Sequence, residues 1–396
     1  MIDDSTTDPG FGIYVHWPFC ESKCPYCDFN SHVTDSVDHG RWSRAYLSEI
    51  ERLAGEIPDR KVDSIYFGGG TPSLMDPAAV AEIIDAVQKC WTFSNSVEIT
   101  LEANPGSVEM QRFRAFRAAG VERVSLGLQA LDDTSLKQLG RRHTARDAKE
   151  ALEIAHSEFE RVSFDLIYAR QHQSLQDWES ELELALSWAG DHISLYQLTI
   201  EPGTAFAARH EAGGLRGLPS DDLGADFYML TQSLCEAAGL PAYEVSNHAR
   251  RGSESRHNMI YWRAGDYAGI GPGAHGRLTR AGKRIATESF HAPGAWLDAV
   301  ERKGNGEQYR QSLGREDRMA EFLMMGLRLS EGVDLGRVPG LLQRLKAQAA
   351  LDDMIEAGFL SLDAEILTAT PQGRLVLNTV IGKLFDAIGE TGISTG

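Results

Sequence analysis

The sequence predicts an α/β protein: a partial (βα)6 barrel, then a C-terminal α+β region ending in a small winged-helix-like module. Three observations predict it. Up to about residue 240, six β-rich runs alternate with helical patterns. The chemically distinctive residues sit at the C-terminal ends of those runs, where a βα barrel builds its sites. An open doubly wound sheet would gather them at one switch point. After about residue 243 the alternation stops, and Gly, His and aromatic residues become frequent.

Strands are expected at 13–17, 62–67, 97–102, 123–128, 162–168 and 192–200. The first runs into a cysteine loop, and the second into Gly68-Gly69-Gly70-Thr71-Pro72. The third ends Leu101-Glu102-Ala103-Asn104-Pro105, and the fourth ends Gly127-Leu128-Gln129. The fifth carries Asp165, and the sixth ends Thr199-Ile200-Glu201-Pro202. Asp76-Pro77 opens a helix with an acidic N-cap and a proline in its first turn. Further helices are expected at 107–118, 145–156, 175–188 and 221–238. Residues 243–312 read as a connecting region centred on Gly269-Ile270-Gly271-Pro272-Gly273-Ala274-His275-Gly276. Helical periodicity returns at 319–329 and 341–356, with β-like pieces at 359–362 and 367–369 and a last helix at 373–385. Three units follow: 1–242, 243–312 and 313–396.

A net charge of −18 argues against nucleic acid as a partner. Residues 313–396 hold 8 basic and 12 acidic side chains, so the terminal module is expected to pack or dock rather than bind DNA. No apolar stretch approaches a transmembrane segment, and the acidic start Met1-Ile2-Asp3-Asp4-Ser5 is no signal peptide. Clustered thiols without an export signal predict a cytoplasmic protein.

Cys20, Cys24 and Cys27 follow the spacing Cys-x3-Cys-x2-Cys, one short of the four thiolates that normally close an iron–sulfur cluster. A 4Fe–4S cluster so held leaves one iron free for a small molecule. The rival is zinc, with His16 or His32 as fourth ligand, although neither has a usual zinc spacing. Five cysteines in 396 residues make a disulfide framework a poor fit. Cys90 and Cys235 sit in apolar helical contexts and are expected to pack. The Gly68–Gly70 run is neither a dinucleotide fingerprint nor a P-loop, but it lets backbone approach a ligand closely.

The triad with Tyr26, followed by Gly-Gly-Gly-Thr-Pro, resembles the radical S-adenosylmethionine (SAM) superfamily. The resemblance implies a radical SAM barrel whose open iron is chelated by SAM. Tyr-Val-His-Trp-Pro-Phe-Cys, Leu-Glu-Ala-Asn-Pro, Leu-Gly-Leu-Gln and Asp-Leu-Ile-Tyr are similar to the branch containing oxygen-independent coproporphyrinogen III oxidases (HemN) and haem chaperones (HemW). By that resemblance Cys20, Cys24 and Cys27 are the cluster ligands. Tyr14, Tyr26, Gly70, Thr71, Glu102, Gln129, Arg141 and Asp165 are the SAM contacts. Within the branch, the oxidase has a fourth cysteine where this chain has Phe29, and a longer segment before the position of Tyr14. Both differences favour the chaperone family. His257-Asn258-Met259-Ile260-Tyr261-Trp262 resembles that family's haem-associated His-Asn-x-x-Tyr-Trp motif. Taken alone, His257 reads as a packed histidine in an aromatic cluster; the resemblance makes it the expected haem contact. His248, His275 and Met259 are lesser candidates. One segment departs: Ala169-Arg170-Gln171-His172-Gln173 stands where the family commonly has Gly-Leu-Pro-Gly-Gln, although Asp165 and Trp178 flank it as expected.

The expected function is a haem chaperone carrying a 4Fe–4S cluster and SAM and delivering haem to acceptor haemoproteins. An electron donor is needed if SAM is cleaved, and a homodimer is allowed. The rival is oxidative decarboxylation of coproporphyrinogen III propionates. A third reading is a radical SAM enzyme with an unrelated substrate.

Overall fold

The computed structural model describes residues 8–34, 36–347 and 349–389. Six strands form its centre: β1 (Phe11–Trp17), β2 (Lys61–Gly69), β3 (Thr92–Ala103), β4 (Arg123–Gln129), β5 (Arg161–Tyr168) and β6 (His192–Gln197). They pair in chain order and all in parallel. Unbroken chain order is the winding of a barrel, because a doubly wound sheet reverses direction midway. The sixth strand ends at Gln197, short of the expected residue 200.

The strands alternate. Ile13, Val15, Ile65, Phe67, Ile99, Leu101, Val124, Leu126, Phe164, Leu166, Ile193 and Leu195 are buried in one core with the helices. The intervening positions are Tyr14, His16, Ser64, Tyr66, Gly68, Thr100, Glu102, Ser125, Gly127, Ser163, Asp165, Ser194 and Tyr196. Successive side chains point to opposite faces, so the apolar set packs under the helices and the inner face is polar. Parallel strands buried on both faces ordinarily read as continuous apolar runs. The alternation marks an interior built to hold polar groups.

The covering helices are α1 (His39–Glu56), α2 (Pro77–Cys90), α3 (Ser107–Ala118), α4 (Asp133–Gln138), α5 (Ala145–Glu158), α6 (Leu175–Trp188), α7 (Ala205–Glu211) and α8 (Asp221–Ala237). Asp76 caps α2 as expected, accepting from Ala78 N at 3.0 Å. Thr144 with Asp147, and Ser174 with Asp177, form capping boxes that start α5 and α6. Helix α1 was not expected, although Trp42, Tyr46, Ile50 and Leu53 line its buried face at helical spacing.

The sheet continues past the barrel. β7 (Asn247–Ala249) adds antiparallel to β6, and β8 (Asp266–Ile270) adds parallel to β1. β9 (His275–Arg280), β10 (Lys283–Ser289) and β11 (Glu307–Ser312) extend it as an antiparallel meander. The helix α9 (Arg256–Trp262) precedes β8, and α10 (Pro293–Lys303) precedes β11. The Gly269–Gly276 run is therefore a strand end and turn. A Cβ on Gly269 would lie 1.9 Å from His275 O, which only glycine avoids.

The terminal unit has its own core, including Leu323, Leu341, Leu345, Leu351, Leu367 and Leu384. Its helices are α11 (Arg315–Gly326), α12 (Leu341–Ala347), α13 (Ala350–Glu356), α14 (Pro371–Leu375) and α15 (Leu377–Ile388). A three-stranded sheet completes it, with β12 (Val333–Asp334) and β13 (Leu360–Asp363) flanking β14 (Ile366–Ala369). The single helix expected at 341–356 is two, separated where Ala349 turns left-handed at φ 57°. No helix among the described residues is long and apolar enough to cross a membrane.

Candidate functional site

Strand β1 delivers Tyr14 and His16 to the barrel mouth, then leaves the sheet as the cysteine loop. Asn30 closes that loop: its backbone O meets His16 Nε2 at 2.9 Å, and its Nδ2 donates to Pro272 O and His291 O at 3.0 and 2.9 Å. The Gly run is lashed to the same loop by Gly70 N to Trp17 O (2.7 Å) and Thr71 N to Phe19 O (2.8 Å). A Cβ on Gly70 would lie 2.6 Å from Phe19 O.

Cys20, Cys24 and Cys27 are half-buried free thiols. Thr71 Oγ1 donates to Cys20 Sγ at 3.4 Å, and Arg141 Nη1 donates to Cys24 Sγ at 3.3 Å. Cys27 N donates to Cys24 O at 3.2 Å. Asn104 joins the two thiol partners: its Nδ2 donates to Thr71 Oγ1 at 3.1 Å, and its Oδ1 accepts from Arg141 Nη2 at 2.6 Å. Sequence reasoning noted Asn104 only as part of a strand end and missed this role. Burial pushes the Cys20 and Cys27 thiols up. Among the described residues, no three His, Cys, Asp or Glu side chains gather around one metal position. His16 has both ring nitrogens engaged, with Tyr14 Oη at 3.0 Å and Asn30 O, so it is not free to be a fourth ligand.

Two carboxylates face the mouth. Glu102 accepts from Tyr66 Oη at 2.8 Å and Gly69 N at 3.2 Å; burial pushes it up to about 7. Asp165 accepts from Leu128 N and Gln129 Nε2 at 3.1 Å each; burial pushes it up to about 6. Gln129 is left-handed at φ 65°, where the β4–β5 register shifts, and so turns its amide towards Asp165. Tyr26 packs edge-on against Phe206 beside Arg141 and Cys24. Tyr14 lies deeper, its ring 6.3 Å from that of Tyr66 and 6.1 Å from that of His257.

His257 lies beneath this cluster, against Tyr14 and Tyr66. It is 2% exposed, with Nδ1 2.7 Å from Ser64 Oγ and Nε2 2.6 Å from Tyr261 Oη. Its ring stacks on Tyr66 at 5.0 Å, and burial pulls its pKa down to about 3. Both nitrogens are occupied in this conformation, so direct ligation by His257 requires Nε2 to leave Tyr261. The departing loop keeps the glycine-like backbone without the glycines: Ala169 and His172 are left-handed at φ 56° and 58°. Arg170 is buried there and pairs with Glu181 at 2.6 Å.

Residues 14–185 match the Radical SAM superfamily, and residues 313–376 match the HemN C-terminal domain. Radical S-adenosyl methionine domain-containing protein 1, mitochondrial, of Bos taurus is 39% identical over 393 residues, covering 96% of this chain and 88% of that protein. Heme chaperone HemW of Escherichia coli is 36% identical over 380 residues, covering 94% of this chain and 97% of that protein. This chain belongs to the HemW branch of the radical SAM superfamily. The solved coproporphyrinogen III oxidase (HemN) of Escherichia coli shares the fold of this HemW-family chain, at TM-score 0.80 and 20% identity over 95% of this chain and 90% of that one.

Radical SAM membership implies a 4Fe–4S cluster and SAM, and the residues present fit both. The three thiols are half-buried, and two of them accept hydrogen bonds, Cys20 from Thr71 Oγ1 and Cys24 from the Arg141 guanidinium. Gln129 Oε1 and Arg141 Nε are buried at the mouth with no hydrogen-bond partner in the protein, which fits a polar ligand there. Cys20, Cys24 and Cys27 would hold the cluster, which would supply one-electron chemistry to a SAM bound beside it.

Proposed function

We propose that this HemW-family chain is a haem chaperone that binds haem and delivers it to acceptor haemoproteins. The supporting observation is similarity over almost the whole chain to proteins named heme chaperone HemW, at 36% identity in Escherichia coli and 37% in Mycobacterium tuberculosis. At position 29, where the oxidase has its additional cysteine, this chain carries a phenylalanine that is 58% exposed. In this reading Cys20, Cys24 and Cys27 hold the cluster. Arg141 takes the SAM carboxylate and Glu102 its ammonium. Gln129 and Asp165 take the ribose hydroxyls, Gly70 and Thr71 border the amino-acid end, and Tyr14 and Tyr26 wall the pocket. The cluster and SAM then set a binding-competent conformation, and an electron donor is required only if SAM is cleaved. Residues 1–242 carry this site, 243–312 the haem motif and 313–396 a packing module.

The test uses anaerobically reconstituted protein. Haem is titrated optically while coproporphyrinogen III decarboxylation is assayed in parallel. Saturable haem uptake without a vinyl product supports the chaperone. Sustained porphyrinogen turnover overturns it in favour of the oxidase.

A further inference from the structure

Gln129 sits in a strained turn at the edge of the SAM pocket. Ala130 N donates to Leu128 O at 2.9 Å, which makes residues 128–130 a γ-turn, and the φ of 65° at Gln129 is the rare form of that turn. Such a conformer persists only where its surroundings over-determine it. Three groups do so here. Asp165 Oδ1 accepts from Leu128 N at 3.1 Å. His143 Nε2 lies 3.1 Å from Leu128 O, and a carbonyl only accepts, so the imidazole donates there. Burial pulls His143 down to about 4, which keeps the ring neutral. On the other side of the turn, Glu181 Oε1 accepts from Leu131 N at 2.8 Å.

Glu181 comes from α6 and is itself held by the loop that departs from the family pattern. Its Oε2 accepts from Arg170 Nη2 at 2.6 Å and from Gln173 Nε2 at 3.2 Å. The side chains of Arg170 and Glu181 are only 7% and 10% exposed. Arg170 Nη1 donates to Ile167 O at 2.7 Å, on the strand that carries Asp165. Asp132, which caps α4, adds a second carboxylate 3.8 Å from Arg170 Nη2. One guanidinium therefore grips β5 directly and, through Glu181, the turn after β4. Its planar fork fixes both contacts in one orientation. Ala130 also packs into a small core with Ile167 and Phe206, against which Tyr26 rests.

We propose that Arg170 and Glu181 are positioning residues for the ribose half of the SAM site, clamping the turn so that the Gln129 amide stays aimed beside Asp165. The proposal rests on the reading that gives the ribose hydroxyls to Gln129 and Asp165, and deepens it. It also gives a role to the segment 169–173, where Arg170 stands in place of the family's common leucine. Without the Glu181 carboxylate, Leu131 N is a donor facing the fold with no acceptor, and the turn relaxes to find one. Gln129 then leaves the left-handed region, and its amide swings away from Asp165.

The experiment is equilibrium dialysis of anaerobically reconstituted full-length protein with SAM and, separately, with the SAM analogue that lacks both ribose hydroxyls. Wild type is expected to prefer SAM by about tenfold or more. The double variant Arg170→Met with Glu181→Leu replaces the buried pair by apolar side chains, a change that folded proteins often tolerate. It is expected to lose most of that preference while keeping its iron content and its affinity for the analogue. Arg170→Met with Glu181→Gln returns an acceptor to Leu131 N and is expected to regain the preference. In a Gln129→Ala background the apolar pair is expected to change the ratio no further, because the clamp acts through that amide. A merely structural role would weaken both ligands together and leave the ratio unmoved. Arg170→Lys keeps the charge but not the fork and is expected to lower the ratio part-way, so the test survives if the apolar pair fails to fold. Urea unfolding identifies the folded variants. A wild-type ratio in the variants that fold overturns the clamp and leaves the ribose reading standing. No preference for SAM in wild type overturns the ribose reading and the clamp with it.

Discussion

Asn104 spends both ends of one amide on the site, donating to Thr71 and accepting from Arg141, and so couples the partners of Cys20 and Cys24. Hydrogen bonds to a charged group contribute about 1.5–3 kcal/mol. Asn104→Ala frees Arg141 Nη2 from its 2.6 Å acceptor and is expected to weaken SAM binding about tenfold or more, with iron content unchanged. Equilibrium dialysis with labelled SAM and an iron assay check both halves. The carboxylates give a pH dependence. Glu102 is raised to about 7 and Asp165 to about 6, so the ligand-free fold binds their protons more tightly than the unfolded chain does. Their contribution to stability is therefore present at low pH and is lost as pH rises from the ordinary carboxylate range through about 6–7. SAM's ammonium needs Glu102 charged, and its ribose hydroxyls donate better to an ionised Asp165, so SAM affinity should rise over the same interval. A flat SAM affinity between pH 5.5 and 8 would contradict this, and Glu102→Gln should remove the upper part of the rise.

At the scale of elements, the loop after β5 holds Ala169 and His172 in conformations that favour glycine. A left-handed non-glycine residue costs about 1 kcal/mol or more. Ala169→Gly is expected to stabilise the protein by up to about 1 kcal/mol, less the added freedom of glycine in the unfolded chain. A urea midpoint that falls would refute it. Arg170 with Glu181 explains why the altered loop stays ordered: the pair is buried, and Arg170 also donates to Ile167 O at 2.7 Å. The six barrel strands and their major helices were legible because each carried a period and a punctuation mark, such as Asp76-Pro77. Helix α1 carried its period too, in Trp42, Tyr46, Ile50 and Leu53, but followed a cysteine loop with no comparable boundary signal. Strands β8 and β9 were missed because Gly269 and Gly276 interrupt their alternation where backbone approaches backbone, and β11 because it is polar and mostly exposed.

Across the whole molecule, the terminal unit is joined to the sheet by charge. Glu321 on α11 accepts from Arg277 Nε at 2.5 Å and Arg284 Nε at 2.8 Å, and Arg284 reaches Asp266 at 3.2 Å. Removing one partner of a buried network costs about 3–5 kcal/mol, because the remaining charges stay buried. Glu321→Ala should lower stability by about that amount, measured by urea unfolding.

The sequence by itself determined the superfamily, the three thiols and the order of the polar strand ends, because each is local: a spacing, a period, or a residue type after a strand. It also brought out the His257–Trp262 motif, but a string of residues does not say which side chain faces the solvent and which is sealed. Only the tertiary structure decided that. Packing against Gly12 and Ser64 closes over the His257 ring and leaves Tyr261 on the wall of a cavity shared with the terminal unit. Arg328 and Arg374 join that wall from more than 60 residues away in the chain, through a fold contact that no periodicity encodes.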